Sequence, residues 1–138
     1  MGLINSYLRF NGNCEPAMMF YKECFGGELA MSRIKETPIA SQMPAEMQDH
    51  IMHSSLSNGN LTLLASDLSG PEGVTHGNSV ALCYVAGNAE EANICFAKLA
   101  AGGKVDEPLS EMFFGMFGSV TDKFGMTWMI QSNPEPEG

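Results

Sequence analysis

Few residues in this chain combine the types and spacing that chemistry needs. It holds three histidines, His50, His53 and His76. An imidazole can ligate a metal or exchange a proton near neutral pH. His50 and His53 stand three apart, which shares a face on a helix but not on a strand. The surrounding pattern puts His53 on a strand, His50 in the loop before it and His76 in a later loop. That favours one inward, hydrogen-bonded imidazole and two solvated ones. Two alternatives stay open: a non-standard metal site joining His53 to Asp67 or a glutamate, and a pocket histidine that binds a ligand or moves a proton. The four cysteines, at 14, 24, 83 and 95, form no CxxC pair and match no zinc spacing. Cys24, Cys83 and Cys95 fall on expected core faces, where a free thiol behaves as a small hydrophobe. Ser54, Ser55 and Ser66 lie near His53 in sequence, but no GxSxG elbow and no P-loop accompanies them. The most suggestive apolar stretch is Phe113-Phe114-Gly115-Met116-Phe117-Gly118. Its glycines permit close approach, and its aromatic rings and thioethers make an adaptable wall. With Trp128 and Met129 it either lines a pocket or fills the core. The pocket candidates are therefore His53, Phe114, Met116, Phe117, Trp128 and Met129.

These residues need elements to position them, and the elements come in two similar sets. Gly-Asn recurs at 12–13 and 87–88, an offset of 75 residues. Apolar stripes follow at the same offset: Ala17, Phe20, Tyr21, Cys24 and Phe25, then Ala92, Cys95, Phe96, Leu99 and Ala100. Each is one face of an amphipathic helix. Asn13 and Asn88 are placed as N-caps, and Glu91 completes a capping-box spacing with Asn88. Gly26-Gly27 and Gly102-Gly103 supply the stops. Strand-like runs surround the helices over 4–10, 29–34, 51–57, 61–66, 79–85, 104–109, 116–122 and 127–131. Asn58-Gly59 and Lys123-Phe124-Gly125 are hairpin turns, with Asp122 accepting backbone hydrogen bonds at the second. The order is β-α-β-β-β, twice. This predicts an α+β fold of two βαβββ modules, about 1–68 and 77–133, forming one domain with a disordered tail at 134–138. Residues 35–50 form a long connection with a helical turn near 44–48.

The chain has 138 residues, and 16 acids against 7 bases give a net charge of −9. The bases are scattered, which disfavours nucleic acid and anionic membrane surfaces as partners. No apolar run is long enough to span a bilayer. The first ten residues read as a strand rather than a signal peptide, and Met1-Gly2 with Ser6 fits a myristoylation pattern only superficially. Reduced cysteines fit the cytoplasm.

The segments YLRFNGNCEPAMMFYKECFGGEL (7–29), HSSLSNGNLTLLASD (53–67), GNSVALCYV (77–85) and FFGMFGSVTDKFGMTWMI (113–130) resemble the PhnB-like branch of the vicinal oxygen chelate superfamily. This superfamily includes glyoxalases, extradiol dioxygenases and bleomycin-resistance proteins. With the second helix, the resemblance covers nearly the whole chain. It implies curved mixed sheets that half-enclose a cavity, and a homodimer. Its metal enzymes place a His, Glu or similar ligand on the first and last strand of each module. Those positions correspond here to Asn5, Val80, Leu64 and Met129, with no imidazole or carboxylate among them. The expectation is therefore no metal, no cofactor, and a small, partly apolar ligand. Bleomycin-resistance proteins show that such a fold can bind without catalysis. A metal-dependent lyase or oxygenase with a non-standard site, or a structural homodimer, are the alternatives. Some PhnB-like sequences carry a methyltransferase label for a ubiquinone precursor. The turns FNGNCEP and VAGNAEE lack the GxGxxG that a doubly wound S-adenosylmethionine site needs, which argues against methyl transfer.

Overall fold

The structure is a computed structural model that describes residues 2–133; the expected disordered tail at 134–138 lies outside them. The chain divides into two compact units, Met1–Thr75 and His76–Gly138. The first contains β1 (Ser6–Arg9), α1 (Cys14–Phe25), β2 (Glu28–Arg33), β3 (Ile51–Asn58) and β4 (Leu61–Ser66). The second contains β5 (Leu82–Ala86), α2 (Ala89–Ala100), β6 (Lys104–Met112), β7 (Gly115–Thr121) and β8 (Thr127–Ser132). Three short 3-10 turns, not one, occupy the connection from Ile34 to Met47. The Gln48 amide holds this connection together by donating to the carbonyls of Ala40, Met43 and Pro44.

Each unit is one four-stranded mixed sheet, ordered β1-β4-β3-β2 in the first and β5-β8-β7-β6 in the second. In both, the first and last strands pair in parallel and the remaining neighbours pair antiparallel. The reason lies in the patterning. In the first unit, Leu8, Leu63, Ala65, Leu56 and Ser54 point to one side and are buried, as are Ala17, Met18, Phe20 and Tyr21 of α1. In the second, Val120, Trp128 and Ile130 are buried, as are Ala92, Cys95 and Leu99 of α2. Burying a large apolar side chain of this kind contributes about 1.5–3 kcal/mol. Both stripes read from the sequence therefore face their sheets.

The helix starts differ from expectation in two respects. Asn88 caps α2 as its spacing implies, accepting from Glu91 N–H at 2.8 Å. Glu91 reaches back to the N–H of Gly87, one residue further than a standard capping box. Asn13 makes no side-chain cap. Asp67, at the end of β4, takes over instead. Its Oδ1 accepts from the N–H groups of Gly12 (2.9 Å) and Cys14 (3.0 Å), and its Oδ2 from Ile51 N–H (2.8 Å). One buried carboxylate thus ties the β1–α1 loop, the helix start and the entry to β3 together. Gly26 and Gly102 adopt φ of 73° and 77° at the helix ends, where L side chains are strained.

Candidate functional site

Since side chains alternate along a strand, each sheet has one face toward its helix and one face open. In the first unit the open face follows from the register. Tyr7 lies opposite Leu64, and Leu64 opposite Ser55, which lies opposite Ala30. One row on, Arg9 lies opposite Ser66, and His53 opposite Ser32. Alternation from the Ser54–Ala65 pair puts His53 on the same face as Ser66, just before the register shift that follows Ser32. Arg9, His53 and Tyr7 are exposed. Ser54, on the helix side, donates to the Ala65 carbonyl and lies 3.6 Å from the Cys14 sulfur. Burial pushes the Cys14 thiol up to about 12, so it stays neutral and unreactive. His50 sits in the preceding loop, and its Nδ1 is buried with no hydrogen-bond partner among the described residues. His53 is exposed on the open face, because β3 turns Ser54 and Leu56 inward instead.

In the second unit the open face carries Cys83, Met129 and Ser119 in one row and Val85, Gln131 and Phe117 in the next. Of the pocket candidates in this unit, Phe117 and Met129 share that face. Phe114, in the β6–β7 turn, packs edge-on against Phe113 and Phe117, with ring centroids 5.2 and 5.9 Å away. Trp128 is a correction. It is 1% exposed on the helix side, and its Nε1 donates to Asp122 Oδ2 at 2.8 Å. It belongs to the core because β8 alternates, turning Met129 out and Trp128 and Ile130 in. Met116 also points away from Phe117. It helps line a half-open cavity of about 330 Å³ beside the start of α2. Met112 and Phe113 complete the apolar side of this cavity, with Glu111, Ser132 and Asn133 on the polar side. Glu111 and Ser132 were not singled out from the sequence. Gly115 is forced at the turn, where φ is 121° and a Cβ would overlap the Ser132 carbonyl. Cys83 is a second correction: it is exposed rather than in the core, whereas Cys14 and Cys95 are buried.

The register also locates the expected metal positions. Asn5 and Val80 precede their strands. The first-strand residue level with Leu64 is Tyr7, and the one level with Met129 is Cys83. The strands are thus offset by 76 residues where the helix caps are offset by 75. The cause is that the second strand-to-helix connection is shorter, residues 87–88 against 10–13. Phenol, alkyl, thiol and thioether make a poor set for a divalent ion that prefers imidazole and carboxylate. Partial desolvation also raises the Cys83 thiol, although the residue is exposed at the surface, which favours its neutral, non-ligating form. Among the described residues no three His, Cys, Asp or Glu side chains are grouped to hold a metal ion. A doubly wound S-adenosylmethionine site has no counterpart either, because each sheet has only one parallel strand pair.

Comparison with known proteins adds the lineage. The family described as 3-demethylubiquinone-9 3-methyltransferase matches residues 3–131. Protein YjdN of Escherichia coli is 32% identical over 136 residues, covering 92% of each chain. The structure of PA1353 from Pseudomonas aeruginosa is 34% identical with a TM-score of 0.87, covering 98% of this chain and all of its own. A Bacillus cereus protein described as a putative 3-demethylubiquinone-9 3-methyltransferase, PhnB protein, is 23% identical with a TM-score of 0.72, over 95% of this chain and 99% of its own. For fold alone, a glyoxalase-related enzyme from Fulvimarina pelagi has a TM-score of 0.60 at 22% identity, over 100% of this chain and 94% of its own.

Proposed function

The chain belongs to the 3-demethylubiquinone-9 3-methyltransferase family, the PhnB-like branch of the vicinal oxygen chelate superfamily, and from that premise we propose that it binds a small, partly apolar organic molecule without the superfamily's usual metal site. One observation carries the reading. Each sheet keeps an open face bearing exposed apolar groups, Tyr7 at 48%, Val85 at 51% and Met129 at 39%. The first- and last-strand positions level with one another there, Tyr7 with Leu64 and Cys83 with Met129, hold no imidazole or carboxylate. Such faces suit adaptable binding through aromatic and thioether contacts. The methyltransferase activity in the family's description is not part of the reading, since neither sheet has the architecture of a doubly wound nucleotide site.

The same reading takes the chain as a cytoplasmic homodimer built from a duplicated module, binding neither nucleic acid nor membrane. Four free cysteines fit a reducing compartment, and the negative net charge repels phosphate backbones. No helix of the described residues is long and apolar enough to cross a membrane. The test is metal analysis of untagged protein, together with a thermal-shift screen of metabolites and divalent ions. The expected result is a metabolite that raises the melting temperature of metal-free protein. Stoichiometric bound metal, lost on His53→Ala, would overturn the reading in favour of a metal-dependent enzyme.

A further inference from the structure

We propose that the open face of the first sheet recognises a monoanionic carboxylate, held by Arg9 and His53, with the apolar body of the same ligand lying over Tyr7 and Leu64. This rests on the binding function above and names the chemical class of its ligand. The geometry is set by two adjacent rows of the sheet. Arg9 and Ser66 are partners on β1 and β4, His53 lies on the same face of the next strand one residue before the Ser54–Ala65 pair, and Tyr7 and Leu64 are partners in the row beside Arg9. Neighbouring strands are about 4.8 Å apart, so the Arg9 and His53 backbones stand roughly 10 Å apart with Ser66 between them. Ser66 is short, and its hydroxyl already accepts from Leu68 N–H at 3.1 Å. Ser66 is itself fully buried, so contacts to the ligand fall to the longer Arg9 and His53 side chains beside it.

Charge supports the assignment. In a chain of net charge −9, cations are scarce. Arg33 is bound to Glu15 at 2.5 Å and Lys35 to Asp49 at 2.8 Å, yet Arg9 makes no ion pair among the described residues and is exposed. Asp67, although adjacent to Ser66, turns its carboxylate to the helix side and spends it on three backbone N–H groups. The carboxylate on the open face is Glu28, at the far end of β2 from Ser32. A guanidinium fork matches a planar carboxylate in bidentate fashion. The overall negative field penalises a second negative charge on the ligand, which favours carboxylate over phosphate. Tyr7 and Leu64 supply a contiguous apolar patch beside the fork.

The experiment is titration of the full-length protein with benzoate, phenyl phosphate and benzyl alcohol, followed by NMR of the Arg9 side-chain N–H and the His53 ring protons. Benzoate is expected to shift both sets of signals and to bind at least tenfold more tightly than either other probe. Arg9→Gln is expected to weaken benzoate at least tenfold, Arg9→Lys to recover part of the loss, and His53→Gln to weaken it about threefold. Lys22→Gln, which removes an exposed cation on α1, is expected to change nothing. A dispersed amide spectrum of Arg9→Gln establishes that the variant is folded. Tighter binding of phenyl phosphate would overturn the carboxylate assignment. Binding of all three probes alike, unaffected by Arg9→Gln, would overturn the anion site and leave the broader binding function standing. No binding of benzoate overturns the proposal outright, whereas stoichiometric metal overturns the broader reading by itself.

Discussion

Asp67→Ala removes the acceptor of three backbone N–H groups at once, and its cost can be worked out group by group. The Cys14 and Ile51 N–H groups are buried, and the Gly12 N–H is partly buried. An orphaned buried donor costs about 1–3 kcal/mol. Gly12 can recover water, so two full penalties apply. Cys14 is also the first residue of α1, whose own N-cap side chain contributes nothing, so its penalty of about 2 kcal/mol already includes the capping loss. The total is about 4 kcal/mol, a large share of the ~5–15 kcal/mol that separates folded from unfolded domains. Asp67→Asn keeps one acceptor oxygen but points an amide donor at a donor, for about 2 kcal/mol. Guanidinium unfolding followed by far-UV circular dichroism measures both. Trp128, the single tryptophan, reports the second unit separately by fluorescence. The dichroism transition should move to lower denaturant in the order wild type, Asn, Ala. A loss below about 1 kcal/mol for Asp67→Ala, or equal losses for the two variants, would refute the claim that this carboxylate anchors the helix start.

Other perturbations have equally direct readouts. Trp128→Phe strips the indole donor from the buried Asp122 carboxylate while Phe124 and Met126 N–H remain bound to it; a loss of about 2 kcal/mol is expected in thermal unfolding. Iodoacetamide at pH 8 followed by mass spectrometry should label exposed Cys83 slowly, because its thiol is raised, and spare Cys14 until the protein unfolds. The Tyr84 phenol is raised by burial and by donation to Glu91. With the folded value above the ordinary one of about 10, its contribution is intact below that pH and is lost as the pH rises through the folded value. Absorbance titration at 295 nm should therefore show a late-ionising tyrosine that disappears in Tyr84→Phe, together with part of the alkaline loss of stability.

The two helices and eight strands were legible because burial imposes a period of 3.6 on the stripes from Ala17 and Ala92 and a period near 2 on the strands. The site was less legible. Trp128 and Met129 look equivalent as large apolar neighbours, but alternation separates them, one into the core and one onto the open face. Cys83 has the spacing of a core residue, but its pairing with Met129 turns it to the open face. Nothing local marks Arg9 and Tyr7 as site residues, because their meaning depends on strands more than forty residues away.

Local signals acted where one segment suffices to satisfy its own chemistry. The Asn88 cap, the glycine stops and the hairpin at Asn58-Gly59 need only residues a few positions apart, and the sequence determined them. Asn13 has the residue type and spacing of a cap, yet Asp67 does its work from 53 residues beyond Cys14. Which face of each strand is open, which positions stand level across a sheet, and which carboxylate reaches the α1 start are properties of register. A shift of one residue reverses every side chain in a strand, and only the paired sheet decides between the two outcomes.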